Sequence, residues 1–94
     1  MILTFACRDT ERLWDMKPVR RFPAEVRRAV RRKLVMLDAA HAVQDCGGVP
    51  PGNRLEALKG GRAGQYRIRL NDQYRICFVW NGRDAEDVEL VDYH

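Results

Sequence analysis

Apolar positions recur every three or four residues through the second quarter of the chain. They are Val26, Ala29, Val30, Leu34, Leu37 and Ala40, with Lys33 at the same spacing. This spacing places the side chains on one face of a helix, and Pro23 suits a first helical turn. The pattern therefore predicts one long amphipathic helix over residues 23–40, whose opposite face carries Arg27, Arg28, Arg31 and Arg32.

The second half of the chain alternates with a period of two. Tyr66, Ile68 and Leu70 alternate with polar neighbours, and so do Tyr74, Ile76, Phe78 and Trp80. Two half-buried strands are predicted. The loop between them must hold an odd number of residues if both apolar sets are to share a face, and residues 71–73 satisfy this condition.

That register has a consequence for the polar face of the hairpin. It places Leu70 opposite Tyr74, and Arg69 opposite Arg75. Two like charges on facing positions repel each other unless an anion lies between them. The pair therefore indicates a phosphate site, although Arg75 could instead pair with Asp92 or with a backbone carbonyl.

The remaining elements have weaker signals. Residues 1–6 are apolar and suit a strand, and Asp9-Thr10 offers an N-cap for a short helix to about Met16, which Pro18 closes. Residues 45–53 are predicted to be a loop because glycine and proline interrupt every pattern there. Asn81-Gly82 supplies a turn before a last strand over residues 87–92. The order indicates an α+β fold.

Composition narrows the class of protein. A chain of 94 residues is predicted to form one domain spanning residues 1–94. Its apolar runs are too short to cross a membrane, and its three cysteines lack CxxC spacing, so a reduced, cytoplasmic protein is expected. The histidines His41 and His94 have no metal-ligand spacing, and no metal site is predicted.

The charge is strongly biased toward arginine. Lysine and arginine total 17 against 13 acidic residues, and residues 17–33 are especially basic. The guanidinium group matches phosphate and stacks on bases, so Arg28, Arg31 and Arg32 are candidates for RNA or ribosome binding. The alternative is a solvated basic face with no nucleic-acid role.

Several segments are similar to one known family. They are RRKLVMLDAA, PPGNRLEALKG, GQYRIRLNDQYRICF and the terminal VDYH. In order and spacing these resemble the HigB-type toxins of the RelE/ParE superfamily. The resemblance implies a fold with an N-terminal strand and two helices packed on a small twisted antiparallel sheet. It also implies a toxin of a type II toxin–antitoxin system that cleaves messenger RNA in the ribosomal decoding site without a cofactor.

The resemblance also implies which residues act. In such enzymes the ribose 2′-hydroxyl attacks the adjacent phosphate, which requires a base, an acid and positive charge on the phosphoryl oxygens. The corresponding candidates here are Lys59, Arg69, Arg75, Asp92, Tyr93 and His94. Each also has a structural alternative, such as a core aromatic ring for Tyr93 or a frayed terminus for His94.

Glu56 is a departure from the family pattern. Some relatives have histidine at this place, and a carboxylate donates no proton at neutral pH unless it is desolvated. We therefore place Glu56 among the RNA-contacting residues. The identity of the acid and the base stays open.

The resemblance implies partners as well. They are a HigA-like helix-turn-helix antitoxin, the ribosome and messenger RNA, with operator DNA reached only through the antitoxin and no membrane. Two other functions remain open: a ParE-like inhibitor of DNA gyrase without catalysis, and a plain RNA- or ribosome-binding module. Fold does not separate these functions.

Overall fold

The computed structural model describes residues 1–48, 55–58 and 64–92. The helices are α1 (Arg8–Trp14), α2 (Ala24–Ala39) and α3 (Asp45–Gly48). The strands are β1 (Glu56–Ala57), β2 (Gln65–Arg69), β3 (Tyr74–Trp80) and β4 (Ala85–Asp92). The strands form one antiparallel sheet in the order β1-β2-β3-β4, and the predicted α+β class is confirmed.

Helix α2 confirms the strongest sequence prediction to within one residue at each end. Pro23 is its N-cap, and its buried residues are Val26, Val30, Leu34 and Leu37. These side chains share one core with Ile68, Ile76, Phe78, Val88 and Leu90 of the sheet. The helix therefore packs on one face of the sheet through the stripe that its periodicity predicts.

Helix α1 differs from the prediction at its start. It begins at Arg8 with Cys7 as N-cap, and no side chain caps it, so the expected cap at Asp9-Thr10 is wrong. Thr10 is instead 1% exposed, and its hydroxyl accepts a hydrogen bond from the backbone N–H of Leu90 at 3.0 Å. A tertiary contact with β4 uses the hydroxyl that a cap would have used.

The N-terminal residues do not form the continuous strand that was expected. Ile2 and Phe5 make isolated parallel bridges to Ala85 and Val88 of β4. Backbone bonds accompany them, such as Leu3 N–H to the Ala85 carbonyl at 2.8 Å. The segment is thus attached to the edge of the sheet, but regular pairing stops between the two bridges.

The β2–β3 hairpin confirms the predicted register. Arg69 is paired with Arg75, and the Leu70 N–H donates to the Tyr74 carbonyl at 3.1 Å. Within the turn, Asn71 Oδ1 accepts hydrogen bonds from the backbone N–H groups of Gln73 and Tyr74, each at 2.8 Å. This side-chain turn stabilises the three-residue connection.

Two other boundaries differ from expectation. Residues 45–48 form the helical turn α3 rather than a loop, because Asp45 Oδ2 accepts from the backbone N–H groups of His41 and Ala42 and fixes its start. The rest of the expected loop, residues 49–53, lies outside the described residues. Strand β4 begins at Ala85, two residues earlier than predicted, after a turn in which Asn81 Oδ1 accepts from Arg83 and Asp84.

The core also holds a buried thiol. Cys46 of α3 is 0% exposed, and burial, with a smaller effect from Asp45, raises its pKa to about 11. In the described part of the chain no disulfide joins the three cysteines. No helix there is both long enough and apolar enough to cross a membrane.

Candidate active site and basic surfaces

The sheet has a polar face turned away from the helices. Paired residues on an antiparallel sheet point to the same side, and the core takes Ile68, Ile76 and Leu90. The alternate positions therefore lie on the other side, and we call them the polar face: Glu56, Arg67, Arg69, Arg75, Cys77, Glu89 and Val91. This surface joins three arginines from two neighbouring strands.

Arg69 and Arg75 are cross-strand neighbours at the hairpin end of this face. Arg69 forms an ion pair with Asp72 of the turn, whose side chain is 97% exposed. Arg75 Nη1 donates to the backbone carbonyls of Asn71 and Tyr74, the latter at 3.0 Å. Hydrogen bonds to the hairpin thus hold the Arg75 guanidinium in place, as the backbone-carbonyl alternative anticipated.

Arg67 is a site candidate that the sequence analysis missed. It is paired in the sheet with Glu56 on one side and Cys77 on the other, and its Nη2 lies 2.9 Å from Glu56 Oε2. The signal was present in the sequence, because Arg67 alternates with Arg69 on the polar side of β2. Glu56 is thereby brought to the polar face as the counter-charge of an arginine, and 53% of its side chain is exposed.

Asp92 ends β4 at the same end of the sheet, but on the other face. It is paired with Tyr74, whereas Arg75 is paired with Val91. Its Oδ2 accepts a hydrogen bond from Gln73 Nε2 at 3.3 Å. Asp92 also lines a cleft of about 440 Å³ with Arg21, Phe22 and Tyr74. The carboxylate and the arginine pair therefore lie at the same end of the sheet but on opposite faces.

Three of the predicted site residues lie outside the described residues: Lys59, Tyr93 and His94. In sequence, Lys59 directly follows Leu58, whose N–H donates to the Gln65 carbonyl of β2 at 2.9 Å. Tyr93 and His94 directly follow Asp92 at the end of β4.

The predicted RNA-binding arginines of α2 form a separate basic surface. Arg28 and Arg32 are exposed and Arg31 is half-buried. They line an open groove of about 660 Å³, the α2 groove, whose lining is Met16, Ala24, Arg27, Arg28, Arg31, Arg32 and Val35. Because α2 packs on the apolar face of the sheet, its outer side and the polar face lie on opposite sides of the molecule.

The charges on α2 affect one another. The pKa of Lys33 is lowered, first by desolvation and then by the adjacent positive charge of Arg32. The Arg31 Nε atom is buried and has no hydrogen-bond partner among the residues that the structure describes. Arg28, Arg31 and Arg32 therefore concentrate positive charge on the outer side of the helix.

Neither surface offers ligands for a metal ion in the described ranges. No group of three or more His, Cys, Asp or Glu side chains lies close enough there to hold one. The chemistry that these residues can supply is electrostatic. Guanidinium groups held in fixed positions can bind a phosphate and stabilise charge that develops on its oxygens.

Comparison with known proteins adds the family context. Residues 3–94 match the family described as the RelE-like toxin of type II toxin–antitoxin systems, HigB. Toxin HigB-1 of Vibrio cholerae is 47% identical over 66 residues, which cover 70% of this chain and 68% of that protein. An uncharacterized protein of Haemophilus influenzae is 30% identical over 70 residues, covering 74% of this chain and 68% of its own length.

Proposed function

Since the chain belongs to the RelE-like HigB family of type II toxins, we propose that it is an endoribonuclease that cleaves messenger RNA on the ribosome. The observation that carries the proposal is the cross-strand pair of Arg69 and Arg75. Two facing arginines on an outer sheet face favour a bound polyanion, and the scissile phosphate of RNA is one. The site of action is the cytoplasm, where translating ribosomes are found.

The proposed reaction uses the RNA's own nucleophile. The 2′-oxygen attacks the adjacent phosphorus, the bond to the 5′-oxygen breaks, and a 2′,3′-cyclic phosphate and a 5′-hydroxyl result. One group must accept the proton of the 2′-hydroxyl and another must donate a proton to the leaving oxygen. Positive charge is needed near the non-bridging oxygens, and we assign this role to Arg75, Arg69 and Lys59.

The acid and the base belong to the terminal residues in this proposal. The histidine side chain in water is the one that titrates closest to neutrality, so His94 suits proton transfer. Asp92 can accept a proton or orient the histidine, and Tyr93 can stack on an unpaired base. Glu56 is held by Arg67 at 2.9 Å, so its proposed part is to position that arginine against the RNA. No metal is assigned to the reaction, since these groups and the 2′-hydroxyl supply its steps.

The first prediction concerns the substrate. Purified protein is expected to cut messenger RNA on programmed ribosomes and to leave free RNA nearly intact, because the ribosome must hold the RNA in an in-line geometry. A single 2′-deoxy substitution before the cut should abolish cleavage. Sequencing of transcript ends and detection of the cyclic phosphate measure both. Equal cleavage of free RNA would contradict ribosome dependence, and cleavage of the 2′-deoxy substrate would contradict the proposed nucleophile.

A second prediction concerns ribosome binding. We propose that Arg28, Arg31 and Arg32 contact ribosomal RNA, so their combined reversal to glutamate should weaken ribosome binding and reduce its salt dependence, because fewer counterions are released. Binding is measured by sedimentation over a series of salt concentrations. Arg83→Glu is the matched control, because Arg83 is exposed in the β3–β4 turn and does not line the α2 groove. If the salt dependence of ribosome binding is unchanged, the α2 arginines form a solvated basic face with no role in ribosome binding.

A further inference from the structure

The α2 groove combines positive charge with exposed apolar surface. Ala24, Arg28, Arg31 and Val35 follow one another along its length at spacings of four, three and four residues. That stripe runs for about 16 Å, or three turns of helix. Met16, two residues after the end of α1, also lines the groove. The groove therefore has the length and the lining to receive a short helix.

Met16 is in an unusual backbone conformation. Its φ is 63°, in the left-handed region. Its N–H donates to the Leu13 carbonyl at 3.2 Å, and the Lys17 N–H donates to the Arg12 carbonyl at 2.8 Å. This is the helix-ending motif that normally has glycine at the left-handed position. A side chain there costs about 1–2 kcal/mol in backbone energy.

The Met16 side chain contributes little packing to the fold. It is 71% exposed, so most of its apolar surface stays in water. A residue that is unfavourable for the backbone and barely packed is a feature that the isolated chain does not need. Its place at the wall of the groove indicates that it serves a contact with another molecule.

Val35 of α2 is a second exposed apolar residue that lines the groove. It is 54% exposed, and a β-branched residue on the outer side of a helix is a poorer helix former than alanine. The other exposed large hydrophobic side chains in the described part are Met1 and Leu3, both near residue 1. Met16 and Val35 thus form a distinct pair, and both line the same groove.

The charge of the groove indicates what it binds. Four of its seven lining residues are arginines and none is acidic. Phosphate recognition uses the arginines alone, and it gives no role to an exposed methionine and an exposed valine. An amphipathic helix with apolar residues on one face and carboxylates beside them matches both features of the groove.

We propose that the α2 groove is the docking site for an acidic amphipathic helix of the antitoxin. Membership of a toxin–antitoxin family implies an antitoxin partner, so this inference does not rest on the ribonuclease proposal. The polar face of the sheet lies on the opposite side of the molecule, and the docked helix leaves it uncovered. It covers Arg28, Arg31 and Arg32 instead, and inhibition follows from keeping the toxin off the ribosome.

Met16→Gly is the variant that separates binding from folding. Glycine relieves the left-handed conformation, so the melting temperature should be unchanged or higher. Affinity for the purified antitoxin should fall by about tenfold or more, because the apolar contact of a methionine is lost. Val35→Ala should weaken binding in the same direction while favouring the helix. Dissociation rates of the toxin–antitoxin complex, measured by surface plasmon resonance, report both.

Two controls distinguish the groove from other surfaces. Leu3→Ala removes a side chain that is 47% exposed and lies outside the groove, and it should leave antitoxin affinity unchanged. Met16→Gly should also leave ribosome binding and RNA cleavage unchanged, whereas the triple arginine reversal should weaken both antitoxin and ribosome binding. If Met16→Gly and Val35→Ala keep wild-type antitoxin affinity, the proposal is wrong. If they weaken ribosome binding instead, Met16 and Val35 contact the ribosome and the antitoxin proposal is wrong, and the proposed ribonuclease activity stands in either case.

Discussion

Arg75→Ala is expected to slow cleavage of messenger RNA on programmed ribosomes by about two to three orders of magnitude, the cost typical of one preorganised donor. Ribosome binding should hardly change. Two backbone carbonyls, those of Asn71 and Tyr74, hold the guanidinium of Arg75 beside Arg69. A group fixed in this way needs no reorganisation when negative charge develops on the phosphoryl oxygens, and that accounts for a loss in the chemical step.

The same hydrogen bonds make a folding control necessary. Alanine at position 75 removes two bonds to the hairpin, so circular dichroism and the melting temperature must show that the sheet persists. Arg83→Ala is the matched control, since Arg83 is an exposed arginine at the other end of β3. Single-turnover rates at saturating ribosome concentration isolate chemistry from binding. A loss that appears only as weaker binding would show that Arg75 positions RNA and does not stabilise the transition state.

The sequence predicts an element well where the burial of apolar side chains alone determines it. The long helix follows from a stripe of apolar residues that must be buried, and its observed bounds, Ala24–Ala39, agree with that stripe. The β2–β3 register follows from parity, because a slip by one residue would expose Ile68 and Ile76, both of which are 0% exposed. The sequence alone therefore predicts the facing pair of Arg69 and Arg75.

Other elements depend on contacts between distant residues. Thr10 has the sequence signature of a helix cap, yet its hydroxyl binds the Leu90 N–H of β4. The N-terminal segment makes isolated bridges with β4 over Ala85 and Val88, and Asp87 between them has a φ of 51°. Local propensity contains no information on either contact, because each depends on where β4 lies in the finished sheet.

The candidate site likewise contains one residue that periodicity assigns and one that depends on the finished sheet. The face that carries Arg67 follows from its alternation with Arg69 along β2, so periodicity alone assigns it. The position of Asp92 could not be assigned in this way. It requires the β3–β4 register, which includes a shift between Cys77 and Val79, and periodicity does not reveal such a shift.

Removal of the His94 imidazole is expected to slow cleavage as much as Arg75→Ala does, or more. His94→Ala should lower the single-turnover cleavage rate by about two to four orders of magnitude, the usual contribution of a positioned proton donor or acceptor. The wild-type rate should change through the neutral pH range, where an unperturbed histidine titrates near 6.5. The variant should lack that limb of the profile, and its ribosome binding should be intact.

His41→Ala is the matched control for this experiment, because the chain has two histidines and His41 is exposed just after α2. It should leave both the rate and the pH profile unchanged. A His94→Ala variant that cleaves within a few-fold of the wild-type rate would assign proton transfer to a carboxylate instead. Asp92→Asn and Glu56→Gln then separate the two candidates. Asp92 lies at the hairpin end of the sheet, where Tyr74 begins β3, whereas Glu56 is held beside Arg67, so the Asp92 variant should lower the single-turnover rate more than the Glu56 variant.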